Sequence, residues 1–155
     1  MMKMAGKKEG RTEKLIYDAK GKILGRLASH AAKSLLQGNE VSIINAESAI
    51  ISGSRKDILK KYRTRVNLKE KANPEHSPYW SRRPDLLVKR VVRGMLPYRK
   101  PSGKAAYKRL RVYIGMPNEL SSQKLIETEA KDPKSMYVGS ITVKELSRLL
   151  GYSSR

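Results

Sequence analysis

Residues 15–44 read LIYDAKGKILGRLASHAAKSLLQGNEVSII, and their pattern decides the fold. Leu15, Ile16 and Tyr17 form a short apolar run ending at Asp18, and Gly21 supplies a turn. From there the apolar residues Ile23, Leu24, Leu27, Ala28, Ala31 and Leu35 recur with helical spacing, leaving Arg26, Ser29, His30 and Lys33 on the other side. Gly38-Asn39 stops the helix, because a left-handed residue is tolerated just past its end. Val41 to Ile44 is a β-branched run without clean alternation, which predicts a strand buried on both faces. Strand, helix and strand in this order predict an α/β domain with a mainly parallel sheet.

Working outward, Ala49-Ile50-Ile51 is a further strand candidate. Ser54-Arg55-Lys56-Asp57 has the spacing of a capping box, and the helix after it turns Ile58, Leu59 and Tyr62 inward. Residues 68–83 are polar and punctuated by Pro74 and Pro78, so they form an ordered loop only if something holds them. Pro84 suits the first position of a helix, where its missing N–H costs nothing. Leu87, Val88, Val91, Val92 and Met95 make that helix's apolar stripe, and Pro97 ends it. Tyr98 to Arg111 reads as a second basic loop with one helical turn around Ala105 to Lys108. Val112 to Ile114 reads as a strand, closed by Gly115 and Pro117.

Ser121 to Lys134 is polar and fits no element, and Tyr137-Val138 is a strand candidate. Thr142-Val143-Lys144-Glu145 is a second capping box, followed by a helix that turns Val143, Leu146, Leu149 and Leu150 inward and ends at Gly151. Met1 to Lys14 is charged and rich in small residues, and reads as a mobile tail. The expected organisation is that tail plus one domain over residues 15–155, with the basic loops projecting from it.

The chain has no Cys, which excludes disulfides and thiolate metal sites. It has no signal-peptide core and nothing near the roughly 18 apolar residues of a membrane span. These features predict a soluble, cytoplasmic protein. Hydrophobic residues are 39% and charged residues 31%, so the core is modest and much of the chain serves surface or partner contact.

Charge carries the functional signal. Residues 55–111 hold 19 Lys and Arg against 4 Asp and Glu, a net of +15 within a chain total of +20. The cations fall in successive clusters: Lys60-Lys61-Arg63-Arg65, Arg82-Arg83, Lys89-Arg90-Arg93, Arg99-Lys100-Lys104 and Lys108-Arg109-Arg111. Tyr62, Tyr79, Trp80, Tyr98 and Tyr107 lie among them. Guanidinium forks grip phosphates and rings stack on exposed bases. Surfaces that need only solubility mix the two signs. Self-repulsion at +20 also destabilises an isolated compact state, so a polyanion is the expected partner. No DNA-reading motif is visible, and cations on loops as well as helices suit an irregular folded RNA. No helix pairs a broad apolar face with bulky anchors, which argues against a membrane surface.

Catalytic readings are thin. Gly21 and Gly25 flank a strand-to-helix turn, but the spacing fits neither dinucleotide nor nucleoside-triphosphate loops, and Gly103-Lys104 is followed by Ala105. His30 and His76 have no carboxylate cluster beside them, so no metal is expected. Asp18 and Glu47 stand where α/β sites often form, although turn or cap hydrogen bonds explain each more simply. Glu127 and Glu129 read as solvent-facing. No catalytic residue, cofactor or small-molecule substrate is expected. An RNA-processing enzyme using one of these carboxylates is the catalytic alternative.

Several motifs in order resemble a known family. They are Gly21-Lys22-Ile23-Leu24-Gly25-Arg26-Leu27-Ala28-Ser29 with Ala32-Lys33 and Gly38, then Ile44-Asn45-Ala46-Glu47 running into Ile51-Ser52-Gly53. Val91-Val92-Arg93-Gly94-Met95-Leu96-Pro97, Gly103-Lys104 and Leu110-Arg111-Val112-Tyr113-Ile114-Gly115 complete the set. Together they resemble the L-thirteen family of large-subunit ribosomal proteins over about Leu15 to Gly115, and less closely through Tyr152. Arg82-Arg83-Pro84 leading into Arg93-Gly94 resembles the archaeal or eukaryotic branch. Met1 to Lys14 has no counterpart there.

The resemblance implies a three-layer α/β/α fold with a short parallel sheet and no catalysis. It also implies binding to large-subunit ribosomal RNA beside neighbouring ribosomal proteins, in the cytoplasm, during subunit assembly. By position it implies RNA contacts at Arg26, Arg93, Gly94, Arg99, Lys100, Lys104, Lys108 and Arg109. A free-standing RNA chaperone or translational regulator of the same fold is the second reading. The loops at 65–83 and 97–111 are expected to be mobile in the free protein, because little apolar surface is available to hold them.

Overall fold

The computed structural model describes residues 13–120, 125–126 and 139–153. The strand–helix–strand opening forms as its pattern predicts: β1 spans Lys14–Asp18, α1 Leu24–Leu36 and β2 Glu40–Ile44. β1 and β2 pair in parallel, from Lys14 opposite Glu40 to Asp18 opposite Ile44. Lys14 therefore belongs to the sheet and not to a tail; the rest of the expected tail lies outside the described residues.

Ile43 and Ile44 point to opposite faces of β2, and both are fully buried. Ile16 and Tyr17 are buried in the same way on β1. The sheet is covered on both sides at its centre, as a parallel sheet requires. Tyr17, Val41 and Ile43 face the main core with Leu27, Ala28, Ala31 and Leu35 of α1. The Tyr17 hydroxyl and Ser34 Oγ, 2.8 Å apart, tie β1 to α1. Gly38 takes a left-handed φ of 104° and its N–H donates to the Leu35 carbonyl, which ends α1.

After β2 the chain makes one 3-10 turn, Ala46–Ser48, and enters β3, Ile50–Ser52. α2 follows at Arg55–Asn67, α3 at Pro84–Met95, α4 at Pro101–Lys108 and β4 at Leu110–Val112. β5 is the two-residue Leu125–Ile126, β6 is Ser140–Thr142 and α5 is Val143–Leu149. The main sheet runs β4-β2-β1-β5, all parallel. β3 and β6 form a separate antiparallel pair, with Ile50 opposite Thr142. The Val143 N–H donates to the Ala49 carbonyl and the Gly53 N–H to the Gly139 carbonyl, so α5 is clasped beside β3. Val143, Leu146 and Leu150 of this clasp are buried in the core.

Four expectations are corrected. The Ser54 hydroxyl makes no capping bond, although Ser54 is the N-cap of α2. Met95, expected inward, is exposed: the buried stripe of α3 runs through Val88 and Val92 at four-residue steps, and Leu96 takes the next position. Tyr98 to Arg111 is not a loop with one helical turn but contains the two-turn α4. The strand expected at Val112 to Ile114 lies two residues earlier, because Leu110 is the residue that buries itself opposite Val41. Thr142 does cap α5, accepting from the Glu145 N–H. The strand candidate Tyr137-Val138 and the pair Glu127 and Glu129 lie outside the described residues.

Candidate nucleic-acid interface

Arg99, Lys100, Lys104, Lys108 and Arg111 are exposed around α4 and the edge strand β4, and Arg82 and Arg83 are exposed before α3. Lys60, Lys61 and Arg63 are exposed on α2, and Arg26 is exposed in the first turns of α1. Only Arg83 among these has a carboxylate partner among the described residues: it grips Asp85 through Nε at 3.2 Å and Nη2 at 3.0 Å.

The remaining cations are half-buried, and rings account for four of them. The Arg90 guanidinium lies 3.8 Å from the Trp80 ring centre and Arg65 lies 4.8 Å from it. Arg65 also sits 5.5 Å from the centre of Tyr62, which meets Trp80 edge-on at 6.4 Å. Also on α3, Lys89 lies over Tyr107 at 5.2 Å and Arg93 over Tyr98 at 5.1 Å; the two tyrosines meet edge-on at 5.4 Å. Rings and cations thus form a ladder from α2 across α3 to α4. Among the described residues, the side chains of Arg26, Lys60, Lys61 and Arg63 share no hydrogen bond, ion pair or ring contact with it.

The ladder answers how like charges crowd together without acids. Two unit charges about 8 Å apart repel by about 2 kcal/mol at an effective dielectric of about 20. Each cation–π contact returns about 0.5–2 kcal/mol. Burial holds Arg90 below its ordinary pKa, and Arg93 and Arg65 add to that effect. Burial pushes Tyr107 and Tyr62 up, with Arg93 and Arg65 respectively pulling the other way.

The ladder also changes the reading of the aromatic residues. Tyr62 is buried, and Trp80, Tyr98 and Tyr107 face the protein's own cations. Tyr79, 82% exposed, is the ring left open to solvent. Its carbonyl accepts from Arg90 Nη1 at 2.8 Å, which fastens the 68–83 loop to α3. The interleaving of rings and cations was visible in the sequence. That the rings seat the cations was not, because Trp80 meets Arg65 and Arg90, and Tyr107 meets Lys89, only through the fold.

Arg109 differs from its neighbours. Its Nη2 donates to the Leu35 carbonyl at 2.8 Å, at the C-terminal end of α1, so this guanidinium already has a partner inside the fold. Gly103 is required by packing, since a Cβ there would overlap the Pro97 carbonyl. Gly94 is exposed, and a Cβ there would meet nothing within 4 Å. Nothing in the described chain demands a glycine at that place.

Of the carboxylates considered for catalysis, Asp18 and Glu47 make structural hydrogen bonds. Asp18 Oδ1 accepts from Asn45 Nδ2 at 2.8 Å and from the Lys20 N–H at 2.9 Å. That contact steadies Asn45 in its left-handed conformation, φ 53°. Glu47 Oε2 accepts from the Gly115 N–H at 3.0 Å, joining the turn after β2 to the turn after β4. His30 and His76 are exposed. No helix among the described residues is long and apolar enough to cross a membrane.

Residues 12–119 match the family model of ribosomal protein L13. The chain is 47% identical over 137 residues to large ribosomal subunit protein uL13 of Methanosphaera stadtmanae, covering 88% of this chain and 96% of that protein. It is 43% identical to uL13 of Methanocaldococcus jannaschii, with the same coverage. It is 39% identical over 139 residues to uL13 of Archaeoglobus fulgidus, covering 88% of this chain and 87% of that one.

Proposed function

This chain belongs to the ribosomal protein L13 family, and from that premise we propose that it is a structural constituent of the large ribosomal subunit. In this reading it binds large-subunit ribosomal RNA and supports subunit assembly in the cytoplasm, beside neighbouring ribosomal proteins. Residues 15–155, with Lys14 of β1, act as one RNA-binding domain.

The observation that carries the reading is the net +15 of residues 55–111, displayed on α2, α3, α4 and β4 with only two carboxylate pairings among the described residues, Arg55 with Glu145 and Arg83 with Asp85. The contacts proposed are Arg26, Lys60, Lys61, Arg63, Arg65, Arg82, Arg83, Lys89, Arg90, Arg93, Gly94, Arg99, Lys100, Lys104, Lys108, Arg109 and Arg111. Gly94 fits a close approach by something outside the chain, since its own surroundings are open. The activity is electrostatic and geometric: phosphates are neutralised, and RNA segments are pinned against a rigid α/β frame.

Sedimentation of cell extract after a high-salt wash, with detection of this chain, tests the proposal. Co-migration with large subunits is expected. Recovery only at the top of the gradient overturns it in favour of a free-standing RNA chaperone or regulator.

A further inference from the structure

We infer that Trp80 is a positioning residue for RNA: its ring seats Arg65 and Arg90 so that, beside Arg93, they form one phosphate-binding locus. The inference rests on the RNA-binding reading above and goes beyond it by naming the ring that builds the site.

Three observations support it. Arg90 and Arg65 lie 3.8 and 4.8 Å from the centre of the same ring, although they come from α3 and α2. None of Arg65, Arg90 and Arg93 has a carboxylate partner among the described residues. Arg90 spends one N–H on the Tyr79 carbonyl, and its other donors have no partner there. A cation–π contact supplies no oxygen acceptor to the guanidinium N–H groups, and an acceptor is what a phosphate oxygen offers. The group is half-buried, so the seated cations are already partly desolvated before any anion arrives.

Arg93 stands one helical turn from Arg90 and is itself seated on Tyr98 at 5.1 Å. Charge repulsion alone would scatter these three side chains. Trp80 therefore acts through them and need not touch RNA. Tyr79, next in the chain and open to solvent, stands at the edge of the same locus.

The test uses the full-length chain and in vitro transcribed large-subunit ribosomal RNA, with affinity measured across a salt series. Trp80→Leu is compared with Trp80→Phe, Arg90→Gln, and Trp80→Leu combined with Arg90→Gln. Thermal melts confirm that each variant folds. Trp80→Leu is expected to weaken binding about tenfold and to flatten the log–log salt slope by roughly 0.7–0.9 for each phosphate that is no longer neutralised. Arg90→Gln in the Trp80→Leu background is expected to cost little more, because the seat is already gone. Trp80→Phe, which keeps a ring, is expected to recover most of the slope.

Additive losses from Trp80→Leu and Arg90→Gln, or an unchanged slope in Trp80→Leu with intact wild-type binding, would overturn the inference and leave the RNA reading standing. Failure of the wild-type chain to bind this RNA overturns both. Trp80 is the only tryptophan of the chain, so its fluorescence gives a second readout of the same locus. A change on RNA addition is expected in wild type and is expected to be smaller in Arg90→Gln. An equal change in both would also sink the proposal.

Discussion

The Arg109 guanidinium donates to the carbonyl of Leu35, 74 residues away in sequence, at 2.8 Å. That carbonyl also accepts from the Gly38 N–H, and the guanidinium adds a charge-assisted bond at the negative end of the helix dipole. Arg109→Ala is therefore expected to lower stability by about 1–3 kcal/mol. The neighbouring exposed Lys108→Ala should stay within about 0.5 kcal/mol. Urea melts of the two variants decide it; equal losses would remove the structural role given to Arg109.

Gly103 and Gly94 are expected to respond in opposite senses. Gly103→Ala forces a methyl into the Pro97 carbonyl and should destabilise by about 1–3 kcal/mol. Gly94→Ala adds a methyl in open space on α3 and should stabilise the free protein by up to about 1 kcal/mol. If RNA comes close at that place, the same change weakens RNA binding. A Gly94→Ala variant both more stable and unimpaired in binding would remove Gly94 from the interface.

Thr142→Ala removes a hydroxyl that accepts from the Glu145 N–H and should cost about 1 kcal/mol. Ser54→Ala removes a hydroxyl with no capping bond and should cost only a few tenths of a kcal/mol. Thermal melts that rank the two in reverse order would contradict the capping geometry.

The alkaline limb of stability belongs in part to Tyr62. Its folded pKa is raised above 10.0 by burial, against the opposing pull of Arg65. A raised folded pKa means the folded state holds the proton more tightly. The contribution is then fully present below pH 10 and is lost as pH rises through the folded value. Tyr62→Phe has no proton to lose, so its stability should fall less steeply between neutral and strongly alkaline pH. Chemical denaturation at several pH values checks this; parallel curves for the two proteins would exclude Tyr62 as a contributor.

Arg93→Glu reverses a half-exposed charge seated on Tyr98. It should weaken incorporation into large subunits without unfolding the domain. Normal incorporation of a folded Arg93→Glu chain would dismiss the α3 face as an RNA contact.

What could be read from the sequence was local. The β1–α1–β2 unit announced itself because Gly38 and the spacing from Ile23 to Leu35 depend only on near neighbours. Pro84 and Thr142 marked helix starts for the same reason. α4 was less legible: Pro101, Ser102 and Gly103 suggest a loop, and only packing against Pro97 shows that the glycine serves a close approach. β5 and β6 are too short to carry a pattern, and each exists because a strand far away in the chain pairs with it. At the candidate interface the cations and rings were all visible by composition. Their partition into open cations, ring-seated cations and Arg109, bonded to the end of α1, is tertiary, and no spacing rule reports it.

The β3–β6 clasp has a consequence for order in time. Ile50, Ile51 and Ser52 have their ladder partners in residues 140–142, which are translated much later. The buried places of Val143, Leu146 and Leu150 stay empty until then. Between those moments the nascent chain already carries residues 55–111, its most cationic stretch, on a frame whose last wall is missing. The most cationic segment is thus synthesised before the residues that close the core beside β3, so completion of this wall waits on the last part of the described chain.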